Sequence, residues 1–266
     1  MGWSDVRWFV QTKLGSARDL AALTDALDGL GVTWSPVELV PFSDEIPDAP
    51  TDGLAVFYGA TTLVRNVARA ARWRPGVYFD EARFAFEALL AGYGEHLLNA
   101  DSEVLTVRAL LARDTLDDAE FFVRPAADLK EFTGGVMRFG ALRVWGDGLA
   151  GTVGPLSLDT RVQLATPKNV WREWRTILVG GRVVAASRYR TAGHLDPSDE
   201  VPDEVRVFSE ACAARYAPAP VFTLDVGETS EGLRVVETNC FHSSGFYRCD
   251  VRAIARAVTA WVVREG

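Results

Sequence analysis

The spacing of apolar and polar positions changes along the chain, and each change marks an element. Val6–Gln11 is a short apolar run that predicts a strand. Ser16 then stands as a helix cap, with Leu20, Leu23, Leu27 and Leu30 at helical spacing and Gly31 as the stop. Val37–Val40 and Leu54–Tyr58 predict two further strands across a Pro/Asp-rich loop that runs to Gly53. Gly59-Ala60-Thr61 leads into a helix through Arg72. Strands alternating with helices predict an α/β layer on a mostly parallel sheet. Its first strand-to-helix turn holds a single glycine, Gly15, so it carries no dinucleotide fingerprint.

A break at Arg74-Pro75-Gly76 separates residues 1–75 from residues 76–266. Beyond it, Gly76–Phe79 predicts a strand, and Asp80–Ala91 and Ser102–Ala112 predict helices, the second capped by Ser102. The pattern then turns β-rich, with strands over Glu120–Arg124, Met137–Trp145, Val162–Leu164, Trp171–Val179 and Arg182–Tyr189. Helices followed by antiparallel strands are α+β in character. Asp250–Val263 places Val251, Ile254, Ala255, Val258, Trp261 and Val262 on one stripe, which predicts a packing helix.

The most informative stretch is Val221–Asn239, which reads as a hairpin. With Ser230-Glu231-Gly232 as a three-residue loop and Gly232 left-handed, Thr229 closes on Leu233. Counting back in twos sets Asp225 opposite Glu237, and Asn239 falls on the same face. Such cross-strand partners hold their Cβ atoms about 4.5–5.5 Å apart. Two carboxylates that close are unfavourable without a cation or proton between them, and hard oxygen donors suit Mg²⁺. An ordinary solvated hairpin face is the plain alternative.

Two other charged groups invite chemistry. Gly180-Gly181 turns a hairpin in which Val179 faces Arg182, so Arg175 faces Ala186 and Glu173 faces Arg188. Trp174, Leu178, Val183, Ala185 and Tyr189 then form the opposite, core face. Arg175 and Arg188 are either part of a surface ladder or a guanidinium pair aimed at phosphate or carboxylate. Arg124 closes an apolar strand, with Lys130 and Gly134-Gly135 just beyond. That is either plain surface or a phosphate-cradling loop. Among the three histidines, His242 follows the acidic hairpin, and Ser243, Ser244 and Tyr247 follow it in turn. These four either line a substrate pocket or close off a strand before the last helix.

Composition narrows the class. Hydrophobic residues make up 48% and charged residues 24%, which is ordinary globular usage. A net charge of −8 argues against broad nucleic-acid binding. No apolar run reaches the roughly 18–20 residues of a membrane span. The first residues hold no signal-peptide core, and Cys212, Cys240 and Cys249 lack zinc or disulfide spacing, so a cytoplasmic location is expected.

Taken in order, Phe-Val-Arg-Pro (122–125), Asp-Leu-Lys-Glu-Phe-Thr-Gly (128–134), the segment from Glu173 to Tyr189, Leu-Asp-Val (224–226) and Val-Glu-Thr-Asn (236–239) resemble the ATP-grasp superfamily. Ser-Ser-Gly-Phe-Tyr (243–247) is most similar to the clade named for two arginines and one lysine. The central segment also resembles the glutamate ligases that modify a ribosomal protein. The resemblance implies an α+β ATP-grasp fold of two subdomains over 76–266, preceded by a small Rossmann-like domain over 1–75. It implies an ATP- and Mg²⁺-dependent carboxylate–amine ligase that works through an acyl-phosphate. A phosphotransferase or a non-catalytic nucleotide-binding protein on the same fold are the alternatives. By the same resemblance Asp225, Glu237 and Asn239 would hold Mg²⁺. Arg124 would bind the α- and β-phosphates with Lys130 assisting, and Val162, Gln163 and Leu164 would be the hinge that meets adenine. Arg175 would bind the γ-phosphate, Arg188 a phosphate or the substrate carboxylate, and His242, Ser243, Ser244 and Tyr247 would line the acceptor pocket. The implied partners are small-molecule or peptide carboxylates and amines, with neither nucleic acid nor membrane.

Overall fold

A computed structural model of the chain describes residues 2–13, 16–39, 43–126, 132–149 and 156–265. In order along the chain the elements are β1 (Val6–Gln11), α1 (Ala17–Leu30), β2 (Thr33–Val37), β3 (Leu54–Tyr58), α2 (Thr61–Ala70), β4 (Arg74–Gly76), α3 (Glu81–Phe84), α4 (Phe86–Tyr93), β5 (Glu103–Thr106), α5 (Val107–Leu111), β6 (Glu120–Pro125), β7 (Gly135–Arg138), α6 (Phe139–Leu149), β8 (Arg161–Ala165), β9 (Arg172–Val179), β10 (Arg182–Thr191), β11 (His194–Ser198), α7 (Asp203–Arg215), β12 (Val221–Thr229), β13 (Gly232–Cys240) and α8 (Val251–Glu265). By internal contacts the chain divides into a unit of residues 1–84 with 170–266, and a unit of residues 85–169. Among the described residues no helix is long and apolar enough to cross a membrane.

The first unit holds two sheets. One is parallel, in the order β2-β1-β3-β4. The expected start of α1 is seen: Ser16 Oγ accepts from the Asp19 amide, and Gly31 ends the helix at a φ of 67°. The second strand comes earlier than the apolar run at 37–40 suggests, because Thr33–Val37 is the stretch that aligns with Arg7–Gln11. Likewise β4 is Arg74–Gly76, aligned with Leu54–Val56, and not Gly76–Phe79. The helix after β3 stops at Ala70, where Ala71 turns left-handed at a φ of 48°.

The other sheet is five-stranded and antiparallel, in the order β11-β10-β9-β12-β13. One core joins the two sheets. Trp8, Val10, Val56 and Tyr58 of the parallel sheet pack with α1, with Ile254, Ala255, Val258 and Val262 of α8, and with Ile177, Val179 and Val221 of the antiparallel sheet. The expected stripe on α8 is thus this core, except that Val251 and Trp261 are only partly buried. The other side of the parallel sheet is filled by Phe9, Phe57, Leu63, Val67 and Trp73. The polarity pattern alone did not point to β11 or α7.

The second unit is a four-stranded sheet, β5-β8-β6-β7, under α5 and α6. Its sequence is where expectation and structure differ most. Asp80–Ala91, which runs from the end of the first unit into the second, is not one helix but two, parted at Ala85. Ser102 caps no helix: it accepts from Gln163 Nε2 at 2.8 Å, Glu103–Thr106 is a strand, and Thr106 is the cap of α5. Met137–Trp145 is mainly α6, since Phe139, Leu142 and Gly146 share a buried helical stripe, and Gly146 leaves room for Leu111 of α5.

Candidate active site

The acidic hairpin reaches the expected pairing by another route. Its loop has two residues, not three, so Thr229 pairs with Gly232, which adopts a φ of 94°. A bulge then leaves Val236 between Val235, the partner of Val226, and Glu237, the partner of Asp225. The shorter turn and the extra residue cancel, and Asp225 faces Glu237 after all. Thr223 faces Asn239 in the next row.

The Gly180-Gly181 hairpin keeps Val179 opposite Arg182, but two irregularities, at Val183/Ala185 and at Arg188/Arg190, shift everything beyond them. Arg175 therefore faces Ser187 and not Ala186, and Glu173 faces Arg190 and not Arg188. Arg188 is the partner of Trp174 instead, and it forms ion pairs with Asp196 at 3.0 Å and Glu200 at 3.5 Å. Tyr189, expected on the core face, donates to Glu173 Oε2 at 2.6 Å.

Since β9 pairs with β12, these registers set Ser187, Arg175, Asp225 and Glu237 in one row across four strands. The row is polar and buried at its centre. Arg175 Nε and Nη2 donate to the two oxygens of Asp225 at 2.9 and 2.7 Å, and its Nη1 donates to the Gly245 carbonyl at 3.1 Å. The side chains are only 11% and 2% exposed. Burial raises the Asp225 carboxyl above its ordinary value; Arg175 opposes that rise, while Glu237 and Glu173 add to it. Burial works to lower the Arg175 pKa, but the Asp225 charge outweighs it and the guanidinium is held charged.

An aromatic pair flanks this ion pair. Tyr189 and Tyr247 stack with centroids 4.9 Å apart, and the Arg175 guanidinium lies 5.0 Å from the Tyr247 ring and 5.8 Å from the Tyr189 ring. Tyr247 holds a φ of 52°, a left-handed conformation rare for a bulky residue. Arg190 joins from the far side, 3.2 Å from Glu173 Oε1 and over the Tyr189 ring. Tyr189 and Arg190 are thus neighbours of Arg175 that counting from the turn misplaces.

The residues after β13 do different work. His242 has no exposed surface, unlike an ordinary loop histidine. Its Nε2 accepts from the Tyr78 amide at 2.8 Å, so its Nδ1, 2.6 Å from the Phe57 carbonyl, carries the proton and donates. Burial lowers its pKa to about 4, against the Phe57 bond that favours the charged form. Ser244 is also tied inward: its hydroxyl donates to the Cys240 carbonyl and its own carbonyl accepts from Tyr58. Ser243 is partly exposed, as is Tyr247.

Of the residues expected to bind nucleotide, Arg124 lies on β6 opposite Gln163. Lys130 is outside the described residues. Val162 and Leu164 are core side chains of the second unit, and Gln163 is 3% exposed. As β8 lies between β5 and β6, these three are committed to ladders that end at Leu164 on one side and Ala165 on the other.

Donor chemistry decides whether a divalent ion fits. Among the described residues no three His, Cys, Asp or Glu side chains form a metal-binding group. Asp225, Glu237 and Asn239 are two carboxylates and an amide, a set suited to Mg²⁺ that leaves its other positions to water and phosphate. Thr223 Oγ1, in the row beside Asn239, is buried and has no hydrogen-bond partner among the described residues. The set fits such an ion, provided Asp225 shares or releases Arg175. A cleft of about 470 Å³ in the same unit, between α2 and residues 43–44, shares no residue with the row.

Comparison with known proteins extends this picture. Residues 53–258 match the model of an ATP-grasp domain, family 3 of the clade named for two arginines and one lysine. No curated protein matches the chain in sequence. Among solved structures, the chain is similar to a RimK domain protein ATP-grasp from Sphaerobacter thermophilus DSM 20745, at 14% identity, covering 97% of this chain and 99% of that one, with a TM-score of 0.65. It is similar to the D-cycloserine synthetase DcsG at 17% identity, with 97% and 99% covered and a TM-score of 0.61. It is also similar to the ATP-grasp ligase PsnB complexed with minimal precursor, Mg and ADP, at 14% identity, with 98% and 99% covered and a TM-score of 0.59.

Proposed function

The chain belongs to the ATP-grasp domains of the two-arginine, one-lysine clade, and from that premise we propose that it is an ATP- and Mg²⁺-dependent carboxylate–amine ligase. The observation that carries the proposal is the row Ser187–Arg175–Asp225–Glu237, which sets a buried guanidinium beside two facing carboxylates on one sheet. A ligase reaction of this kind runs in two balanced steps. A substrate carboxylate oxygen attacks the γ-phosphorus and ADP leaves with the bridging oxygen, forming an acyl-phosphate. An amine nitrogen then attacks the acyl carbon, phosphate leaves, and the nitrogen gives up a proton. Both steps rest on positioning and charge neutralisation and need no Ser/His/Asp triad.

In this reading Asp225, Glu237 and Asn239 hold Mg²⁺, which when bound neutralises phosphate charge. Arg175 contacts the transferred phosphoryl group, and Arg124 is a phosphate ligand from β6. The adenine-facing backbone is assigned to the stretch beyond Ala165, because Val162–Leu164 are committed to their ladders. Tyr247 and Ser243 face the substrate. His242 and Ser244 hold the loop that carries them, since their side chains already bond to backbone groups. Arg188 braces β10 against Asp196, and Arg190 takes the place at the site that Arg188 was expected to fill. The ligase PsnB, similar in fold, is complexed with a precursor peptide, which supports a small-molecule or peptide carboxylate as the class to search. Residues 1–75 are proposed as the Rossmann-like domain of such ligases.

The test is ADP and phosphate release over a panel of amino acids and peptides, with product mass spectrometry. Glu237→Ala should abolish turnover while its circular dichroism spectrum stays that of the parent. Unchanged turnover in that variant would remove Glu237 from the site. ADP formed without phosphate would point to a phosphotransferase, and nucleotide binding without any turnover to a non-catalytic protein.

A further inference from the structure

The two groups assigned opposite ligands are, in this structure, bound to each other. Arg175 was assigned to a phosphoryl anion and Asp225 to a divalent cation, yet Arg175 donates through Nε and Nη2 to both Asp225 oxygens. We infer that this pair is a latch, in which each side chain blocks the other's ligand, so that cation and polyphosphate bind strongly only together. The inference rests on the ligase reading solely for the assignment of those two ligands.

Three features carry it. First, the pair is buried and fully engaged: a third guanidinium hydrogen bond goes to Gly245, and the Tyr247 ring covers the group. Second, the guanidinium stands in one row with two acids. Glu237 stands opposite Asp225, so losing the guanidinium would leave like charges facing each other. Third, a matched control sits on the same two strands. Arg172 of β9 and Glu228 of β12 carry the same two charges and pair with each other at 2.6 Å, where neither is assigned a ligand.

Electrostatics then sets the order of events. A divalent ion arriving alone at Asp225 would sit beside a guanidinium that already answers its charge. A polyphosphate arriving alone would compete with Asp225 for Arg175 and face Glu237 besides. Arriving together, they cancel: the ion takes the carboxylate and the guanidinium turns to the anion. Coupling of this kind is reciprocal, so opening either half of the latch must expose the other half's ligand site.

The experiment measures each ligand by itself. Mn²⁺ binding without nucleotide is followed by electron paramagnetic resonance, and AMPPNP binding in EDTA by calorimetry. Arg175→Met should bind Mn²⁺ at least tenfold more tightly than the parent, and Asp225→Asn should bind metal-free AMPPNP at least tenfold more tightly. Arg172→Met and Glu228→Gln remove the same charges elsewhere on the same two strands and should change either affinity by less than threefold. Gains of equal size in those controls would reduce the effect to general charge and overturn the latch. So would an Arg175→Met protein with the parent's Mn²⁺ affinity, while parental binding of Mn²⁺ with AMPPNP left the site assignment standing. Failure of the parent and every variant to bind the two together would sink the site assignment and the latch with it. If Arg175→Met does not fold, Asp225→Asn, close in shape to the parent, decides the question alone.

Discussion

The two hairpins of the five-stranded sheet differ in how well a count from the turn locates their side chains. In β12–β13 the loop is one residue shorter than expected and Val236 is extra, and the two deviations cancel before Asp225 is reached. In β9–β10 the turn is the expected Gly-Gly, but irregularities at Val183/Ala185 and Arg188/Arg190 accumulate. One extra residue moves every later side chain to the other face, so the number of bulges between turn and site decides which residues meet. That is why Arg190, and not Arg188, stands opposite Glu173. A correct turn is therefore weaker evidence for a site than an acid pair that explains itself chemically.

The comparison can be broken or sharpened in stages. The largest effect is expected at the shared centre of the two hairpins. Arg175→Ala should lower turnover by about 10²–10³-fold, the range for removing one aligned charge donor, read from steady-state ADP release. A loss under about threefold would mean the row is structural. Next come the turns. Gly180 holds a φ of 57° and an added Cβ would run into the Trp261 ring, so Gly180→Ala should cost about 2–5 kcal/mol in urea unfolding.

His242, just past β13, offers a pH test of similar size. Its folded pKa of about 4 lies below the unfolded 6.5, so its contribution is full above pH 6.5. Below that the unfolded chain takes up the proton first, and stability should fall between pH 6.5 and 4 by about 3 kcal/mol. His242→Gln should flatten this part of the profile, and an unchanged slope would place the proton elsewhere. Gly227 lies beside the β13 bulge, where an added Cβ would approach Val236 to 2.7 Å and Val170 to 2.8 Å, so Gly227→Ala should cost about 1–3 kcal/mol with the ligand sites intact. The smallest effect separates the two readings of β10. Arg190→Ala should lower turnover about tenfold and Arg188→Ala less than about threefold, and the reverse order would restore Arg188 to the site.

Much of the first unit was legible because its signals are local. Ser16, the leucine spacing and Gly31 mark α1, and Gly180-Gly181 marks a turn, since caps and turns depend on a few adjacent residues. The second unit was harder to read. Met137–Trp145 looks strand-like in its apolar content, but from Phe139 it is helical, with Gly146 set against Leu111 of α5. Glu103–Thr106 is a strand because β8 pairs with it, and nothing nearby in sequence announces that partner.

The amino-acid sequence by itself determined that Glu237 and Asn239 would share a face, because period-two alternation is a property of any strand, whereas Asp225 joins them only through the extra residue Val236. Only the tertiary structure decided that Arg175 grips Asp225, that Tyr189 and Tyr247 stack beside it, and that His242 is locked between two backbone groups. Those contacts join residues dozens to well over a hundred positions apart. Bulges and strand order that carry no local mark set them, so they exist only once the sheet has formed.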